Sequence, residues 1–511
     1  MKRIANLILG RCTIVALLLI IQFAWLATVL YQFSYQFTYA NLVIRIIAII
    51  VALVIANKWT DPGSRLSWIF LILLSPMLGL LLYLIFGRSG LTKNTRKQMD
   101  AVNREVNKYI YQTPEAVQEL EEKDKSVYRQ SKYINDWAGF PLYQNTSTKY
   151  YKSGEDMFPD MLAELEKAEH FIFLEYFIVE PGCMLDQILE VLEKKAREGV
   201  DVRLIYDDVG SISTLPPKYD RVLKAKGIKC AAFNPFRPIM SVVMNNRDHR
   251  KIFVVDGNVG FTGGINLADE YINQKERFGY WKDTGIRLKG EGVWSLTVMF
   301  LEMWDYITHT KEDYEQYMPK VYQKEPFVSD GIVQPYGDSP LDHEKVGENI
   351  YLNIINYAND YLYIFTPYLI IDSEIMTCLI NAAKRGVDVR IVTPGIPDKK
   401  LVYLLTQAHY EPLIESGVKI YQYRPGFIHA KSFVCDDKIA TVGSINLDYR
   451  SLYLHFECGV FMYESKAVME LKQDCKEVFA CSDEVSLEFC RKRNVVVRIF
   501  QGILRLFAPL L

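Results

Sequence analysis

The chain repeats itself, and that repetition limits its architecture more than any other feature. Gly199-Val-Asp-Val-Arg203 recurs without change as Gly386-Val-Asp-Val-Arg390. Three further pairs keep the same order: Phe171–Glu175 with Leu362–Thr366, Gly227-Ile-Lys229 with Gly417-Val-Lys419, and His249 with His429. Around them, apolar β-rich runs alternate with helical stretches. The pattern is that of a duplicated α/β domain, with the two copies expected to pack about a pseudo-two-fold axis. The step from the glycine to the histidine is 22 residues in the first copy (227 to 249) and 12 in the second (417 to 429). The first copy therefore carries an insertion around Asn234–Val243, placed where a substrate loop is expected.

The histidines belong to a longer shared pattern. His249-Arg-Lys251 leads through an apolar run to Asp256 and then to Gly263-Gly264-Ile-Asn266. His429-Ala-Lys431 leads to Asp436 and then to Gly443-Ser444-Ile-Asn446. By ordinary residue frequencies one such match is expected about 10⁻⁵ times per chain. On a strand, residues i and i+2 share a face, so each copy sets an imidazole beside an ammonium. Small residues at Gly264 and Ser444 would let a phosphate approach the backbone, and Asn266 and Asn446 would add donors. Two copies meeting at a pseudo-axis converge two His, two Lys and two Asn on one anion.

The N-terminal region is of a different kind. Cys12–Tyr31 and Leu66–Phe86 carry no charge and are each long enough to cross a hydrocarbon core of about 30 Å. Between them, Ala40–Ala56 is shorter and holds Arg45, which can snorkel. Three spans are expected, the middle one the weakest. A cleaved leader is the alternative for the first, but its apolar stretch is long and no small-x-small site follows. Three spans leave five basic residues on each side, a tie under the positive-inside rule.

The expected organisation is an anchor over 1–90, a charged helical connector over 91–135, α/β domains over 136–325 and 326–483, and a basic amphipathic helix over 484–511. In that last segment Arg491, Arg498 and Arg505 fall seven apart, on one helical stripe suited to anionic lipid. A terminal helix packed on the core is the other reading. Net charge is −2, against a globally basic nucleic-acid binder. Nine scattered cysteines without a CxxC pair give neither a disulfide scaffold nor a zinc site, and nothing else demands a metal or another cofactor.

The doubled motif resembles the signature of the phospholipase D superfamily over about residues 135–480. Leu66–Gly87, Asn246–Lys251, Gly260–Asn266 and Gly443–Ser451 look like the corresponding segments of bacterial cardiolipin synthases. The extra segment 12–31 departs from their two-span pattern. The resemblance implies a plasma-membrane enzyme that transfers a phosphatidyl group between two phosphatidylglycerols, giving cardiolipin and glycerol. It implies a phosphohistidine, with His249 as nucleophile and His429 as acid/base, and Lys251 and Lys431 stabilising phosphoryl oxygens. Asp256 and Asp436 would brace each motif. Asp283 and Glu457 occupy matched positions and would each hold a histidine in its working tautomer. Glu175, inside an apolar run, is either a buried ion-paired carboxylate near the site or structural, and Asp207 and Asp208 end a strand where α/β sites are often built. The tail stripe places the catalytic domains on the cytoplasmic face. The rivals are a phospholipase or a transferase with another donor, a nuclease, and a scaffold with a decayed site.

Overall fold

The computed structural model describes residues 24, 25, 28, 29, 32, 38–58, 61–87, 93–106, 108–235, 246–323, 326–342 and 344–510. Most of the expected first span, and the inserted loop beyond Pro235, lie outside these residues.

The expected duplication is present as two mixed sheets. The first runs β1 (Thr146–Tyr151), β9 (Gly285–Gly290), β7 (Val259–Gly263), β6 (Ile252–Val255), β2 (Phe171–Tyr176), β3 (Asp201–Asp207), β4 (Lys229–Phe233). The second runs β10 (Ile332–Asp338), β17 (His455–Tyr463), β16 (Ile439–Gly443), β15 (Ser432–Cys435), β11 (Tyr361–Phe365), β12 (Asp388–Pro394), β13 (Lys419–Tyr423), β18 (Ser482–Glu484). In both, three strands are parallel and the motif strand, β6 or β15, lies antiparallel beside them. The repeated Asp-Val-Arg opens β3 and β12. It can sit there because continuous apolar strands are stable only when both faces are covered, here by flanking helices.

Each sheet also sends a short strand into the other half. β5 (Arg247–Asp248) pairs in parallel with the start of β17, and β14 (Gly426–Ile428) pairs in parallel with β8 (Tyr280–Lys282). The segment preceding each motif histidine is thereby fastened to the opposite domain. The connector is no free linker. Met99, Val106, Leu120, Val127 and Ile134 are buried in a core shared with both halves.

The anchor differs from the expectation of three spans. α1 (Thr38–Ala56) contains an apolar stretch from Tyr39 of spanning length. The 66–86 stretch does not form one span. It breaks into α2 (Pro62–Leu74) and α3 (Pro76–Phe86), because Pro76 lacks an N–H and holds Ser75 out of helical geometry at φ −138°, ψ 83°. α3 folds back on α2 so closely that a Cβ on Gly79 would stand 2.5 Å from the Ile72 Cα. Lys58, just past α1, donates to Tyr83 near the end of α3 at 2.7 Å. At about 1.5 Å per residue, these helices of 13 and 11 residues reach about 20 Å and 17 Å into a core of about 30 Å. Both ends of the pair lie on the side of the catalytic body, where α2 also meets the tail: Ser67 Oγ donates to Leu506 O at 2.5 Å, and Phe70 sits edge-on to Phe507.

The tail helix, Val495–Phe507, buries Gln501 against the body, while its apolar residues and also Arg498 and Arg505 are exposed; Arg491 ends the preceding helix, Leu487–Arg491. Arg491 pairs with Glu415 at 2.5 Å, and Arg498 approaches Glu411 at 3.6 Å. These contacts tie part of the expected stripe to the catalytic body, and Val495, Val496, Ile499, Phe500 and Ile503 are exposed beside it.

Candidate active site

The strand exchange sets the geometry of the site. β5 lies alongside β17, and the His249 N–H donates to Phe456 O at 2.9 Å. The next residue on β17, Glu457, therefore faces the His249 ring. Its carboxylate accepts from Nδ1 at 2.9 Å. On the other side, the His429 N–H donates to Lys282 O at 2.7 Å, and Asp283 accepts from His429 Nδ1 at 2.7 Å. Each histidine is held by a carboxylate from the opposite half. With Nδ1–H committed to a carboxylate, Nε2 is the nitrogen left for chemistry.

Both rings line one cavity of about 870 Å³, with Asn446, His455 and Arg450 on part of its wall and Trp281, Phe427 and Tyr271 on another. Leu504 and Ala508 of the tail complete the wall.

The small residues of the motif serve the carboxylates. A Cβ on Gly264 would stand 2.0 Å from Asp283 Oδ1, so glycine there leaves room for the carboxylate. At the matched position, Ser444 Oγ donates to Glu457 Oε2 at 2.5 Å. Neither Gly264 nor Ser444, expected beside phosphate, is among the residues lining the cavity. The two asparagines also differ. Asn266 accepts from the Ile178 N–H at 3.0 Å and donates to Tyr271 at 2.7 Å, so it braces the site. Asn446 lines the cavity, and its buried Oδ1 has no hydrogen-bond partner.

Lys251 and Lys431 are buried, and each ammonium donates to the carbonyl oxygen of its own motif histidine. Burial brings Lys251 down to about 8 and Lys431 down to about 7. Burial and the neighbouring Lys251 and Lys431 push His249 well below its ordinary value. His429 is brought to about 4 by burial and Lys431, against the pull of Asp283. Burial acts against the Asp283 charge, yet His429 and Lys431 hold that carboxyl below its ordinary value.

Asp256 and Asp436 lie away from the rings. Asp256 accepts from the N–H groups of Glu169, His170 and Phe171 at 2.8–2.9 Å, and Asp436 from those of Asn359, Asp360 and Tyr361 at 2.7–3.0 Å. Each ties the end of its motif strand to the start of the neighbouring strand. Glu175 accepts from Arg250 Nε at 2.6 Å, wholly buried, and fixes the residue between His249 and Lys251. Asp207 accepts from Val209, Gly210 and Asp248 N–H groups and lies 3.3 Å from Arg247 Nη1, so it fastens β5. Asp208 is not among the residues lining the cavity.

Two wall residues carry no signal in the duplicated motif. His455 stands two before Glu457, where the other half has Trp281 two before Asp283. Its ring centroid is 5.6 Å from that of His249, and Arg450 Nε donates to its Nε2 at 3.4 Å. The i, i+2 spacing from Glu457 was the available clue. His249, His455 and Glu457 place ligand atoms within 4.8 Å of one another, a spacing a metal ion could use. The two lysine ammoniums beside them oppose a further divalent charge at that point.

Two like domains, each giving a histidine to one cavity and a carboxylate to the other's histidine, define a phospholipase D-like fold. A solved phosphatidylserine synthase of Haemophilus influenzae Rd KW20 shares that fold with a TM-score of 0.55 at 14% identity, covering 76% of this chain and 98% of the other. Residues 161–281 and 351–479 match the family described as "Cardiolipin synthase, PLD-like domain", and 46–88 match "Phospholipase_D-nuclease N-terminal". A cardiolipin synthase of Geobacillus kaustophilus is 36% identical over 88% of this chain and 89% of its own. An uncharacterized protein of Streptococcus mutans is 45% identical over 89% of this chain and 98% of its own. The chain belongs to the cardiolipin synthase family.

Proposed function

We propose that the protein makes cardiolipin and glycerol from two phosphatidylglycerol molecules through a phosphatidyl-histidine. The crossed histidine–carboxylate pairs carry this reading. Neutral His249 attacks phosphorus through Nε2, the bond from phosphorus to the glycerol oxygen breaks, and His429 delivers the proton to that oxygen. His429 then takes the proton of a terminal hydroxyl on the second phosphatidylglycerol. That oxygen attacks phosphorus and the P–N bond breaks. Lys251, Lys431 and Asn446 face the charge that develops on the phosphoryl oxygens. Glu457 and Asp283 act through the histidines as positioning residues.

The direction of each shift supports this assignment. Both histidines are buried beside lysines, but Asp283 opposes the depression at His429. When an anionic phosphodiester enters, the first proton falls on His429, and His249 stays neutral as the nucleophile.

The folded-back α2–α3 pair supports a cytoplasmic catalytic body. With both ends of that pair on the body's side, Lys58, Arg65, Lys97 and Arg104 fall on one side, and the tie expected for three spans is broken in its favour. α1 is then the described crossing, and the outward apolar face of the tail lies on the same membrane surface. The functional units follow as the anchor to 90, the packed connector to 135, the two catalytic domains to 325 and 483, and the tail.

Mass spectrometry of lipids after incubation with phosphatidylglycerol alone tests the reading. Cardiolipin with an equal amount of glycerol is expected, lost in His249→Ala and in His429→Ala. Ordinary turnover by either variant refutes the mechanism. Phosphatidic acid as the product would make water the acceptor, and release of nucleotides from DNA would make the enzyme a nuclease.

A further inference from the structure

The tail helix presents a third face besides its exposed apolar one and the one closing the catalytic cavity. Between it and the helices Lys400–Gln407 and Tyr410–Glu415 lies a second cavity, of about 190 Å³. Arg493, Arg498 and Arg505 line it, together with Glu411. Arg493 donates through Nη1 to Gln407 O at 3.1 Å, while its Nη2 is buried without a hydrogen-bond partner. Arg498 stands 3.6 Å from Glu411, a carboxylate that Arg491 also approaches at 3.6 Å. Three guanidinium groups thus line the pocket with a single carboxylate, and the balance is positive.

We propose that this pocket binds the phosphodiester headgroup of an anionic phospholipid, apart from the catalytic cavity. Guanidinium forks match phosphate oxygens in pairs, which suits Arg in place of Lys at such a position. The lipid source follows from the adjoining surface. Val495, Val496, Ile499, Phe500 and Ile503 are between 41% and 70% exposed on the same helix, where acyl chains can cover them. A free anion would need no such face. The helix is held to the body by Gln501, which donates to Leu404 O at 2.8 Å, and it walls the catalytic cavity with Leu504 and Ala508. A lipid in the pocket therefore fixes one side of the catalytic mouth. The proposal rests on the phosphatidyl-transfer reading only in taking a phospholipid as the ligand.

Gly502 supplies the test. It lines the pocket, and a Cβ there would meet nothing within 4 Å. Gly502→Glu puts a carboxylate among the arginines and favours the helix at the same time. The full-length protein carrying His249→Ala, to prevent turnover, is titrated in detergent with phosphatidylglycerol or phosphatidylcholine, and bound lipids are counted by native mass spectrometry. Retention of phosphatidylglycerol beyond phosphatidylcholine is expected. Adding Gly502→Glu, or separately Arg493→Gln, should weaken one such binding event by about tenfold (about 1.4 kcal/mol) or more and leave another. Equal binding by all three proteins overturns the proposal. Displacement of the lipid by excess inorganic phosphate overturns the lipid source and leaves a free-anion site. Cardiolipin formation by the unmutated enzyme is scored separately, so a failure of the catalytic reading is seen on its own.

Discussion

Glu457→Gln and Asp283→Asn should slow different steps of one reaction, because each carboxylate serves the histidine of the other half. The amide keeps a hydrogen-bond acceptor for Nδ1–H but removes the charge. Glu457 and Asp283 are both wholly buried, at 2.9 Å and 2.7 Å from their histidines, so solvent does not make up the loss. A hydrogen bond to a charged group in such a setting is worth about 1.5–3 kcal/mol, which corresponds to roughly 10- to 150-fold in rate. A phosphatidyl-p-nitrophenol donor separates the two effects, since nitrophenolate leaves without a proton from His429. Stopped-flow absorbance then reports formation of the covalent intermediate as a burst and its consumption as the steady state. Asp283→Asn should keep the burst and slow the steady state by that factor, with label from the donor remaining on the protein in an alkali-stable, acid-labile bond. Glu457→Gln should slow the burst itself, since Glu457 balances the charge of the phosphatidyl-imidazolium. The opposite pattern would exchange the roles of His249 and His429. Rates within about threefold of the unmutated enzyme in both variants would refute the claim that these carboxylates act through the histidines.

Gly264→Ala should behave like loss of Asp283, because the new Cβ would stand 2.0 Å from Oδ1 and force the carboxylate off His429; a destabilisation of about 1–3 kcal/mol by thermal unfolding should accompany it, and normal activity would show that the carboxylate needs no such space. Ser444→Ala removes a donor to Glu457 at 2.5 Å; it should slow the nitrophenolate burst by about tenfold and leave the later step, and an equal effect on both steps would argue against it. Burial holds Lys431 to about 7 and Lys251 to about 8 in the free enzyme, so each is charged below that pH and neutral above it. With the nitrophenyl donor, kcat/KM should therefore fall by more than about tenfold between pH 7 and pH 9; a flat profile would mean that the ammoniums are not needed to attract the phosphodiester.

The repeat and the doubled His-x-Lys pattern made the fold and the two histidines legible, because a period and a motif are properties of sequence spacing. Pairing between the copies is not. β5 is two residues long and β8 three, too short for any hydrophobic alternation, so nothing in the sequence told that His249 would lie against Glu457 and His429 against Asp283. The same gap explains Gly264. Small residues beside a phosphate motif suggested an approach to backbone, whereas the neighbour that needs the space is a carboxylate 19 residues on (264 to 283). At the anchor, counting apolar residues measured length but not direction, and the Ser75–Pro76 break reverses the chain. The tail's seven-residue arginine spacing placed Arg498 and Arg505 on one face of the helix Val495–Phe507, although Arg491 ends the helix before it. It could not say whether lipid or Glu411 and Glu415 would meet that face.

The crossed arrangement also limits what each half can do alone. A domain that keeps its own histidine loses the carboxylate that orients it, and it loses the backbone partner that anchors the segment before it, Phe456 O for His249 and Lys282 O for His429. In the proposed mechanism the two histidines are thus competent only while β5–β17 and β14–β8 both remain paired. That makes the interface between the copies part of the chemistry. It also gives two nearly identical motifs the unlike surroundings that the proposed roles require. The strands exchanged are equivalent, but what they bring is not: one delivers His455 and Glu457 with a serine behind, the other Trp281 and Asp283 with a glycine behind. Burial brings His455 down to about 3, so the ring near His249 is a neutral polar neighbour, while His429 sits among Trp281, Phe427 and Tyr271 with the shorter carboxylate. In the proposed mechanism, the asymmetry that keeps one imidazole as nucleophile and makes the other the acid would thus come across the interface, from the partner half, and not from the motif that each histidine belongs to.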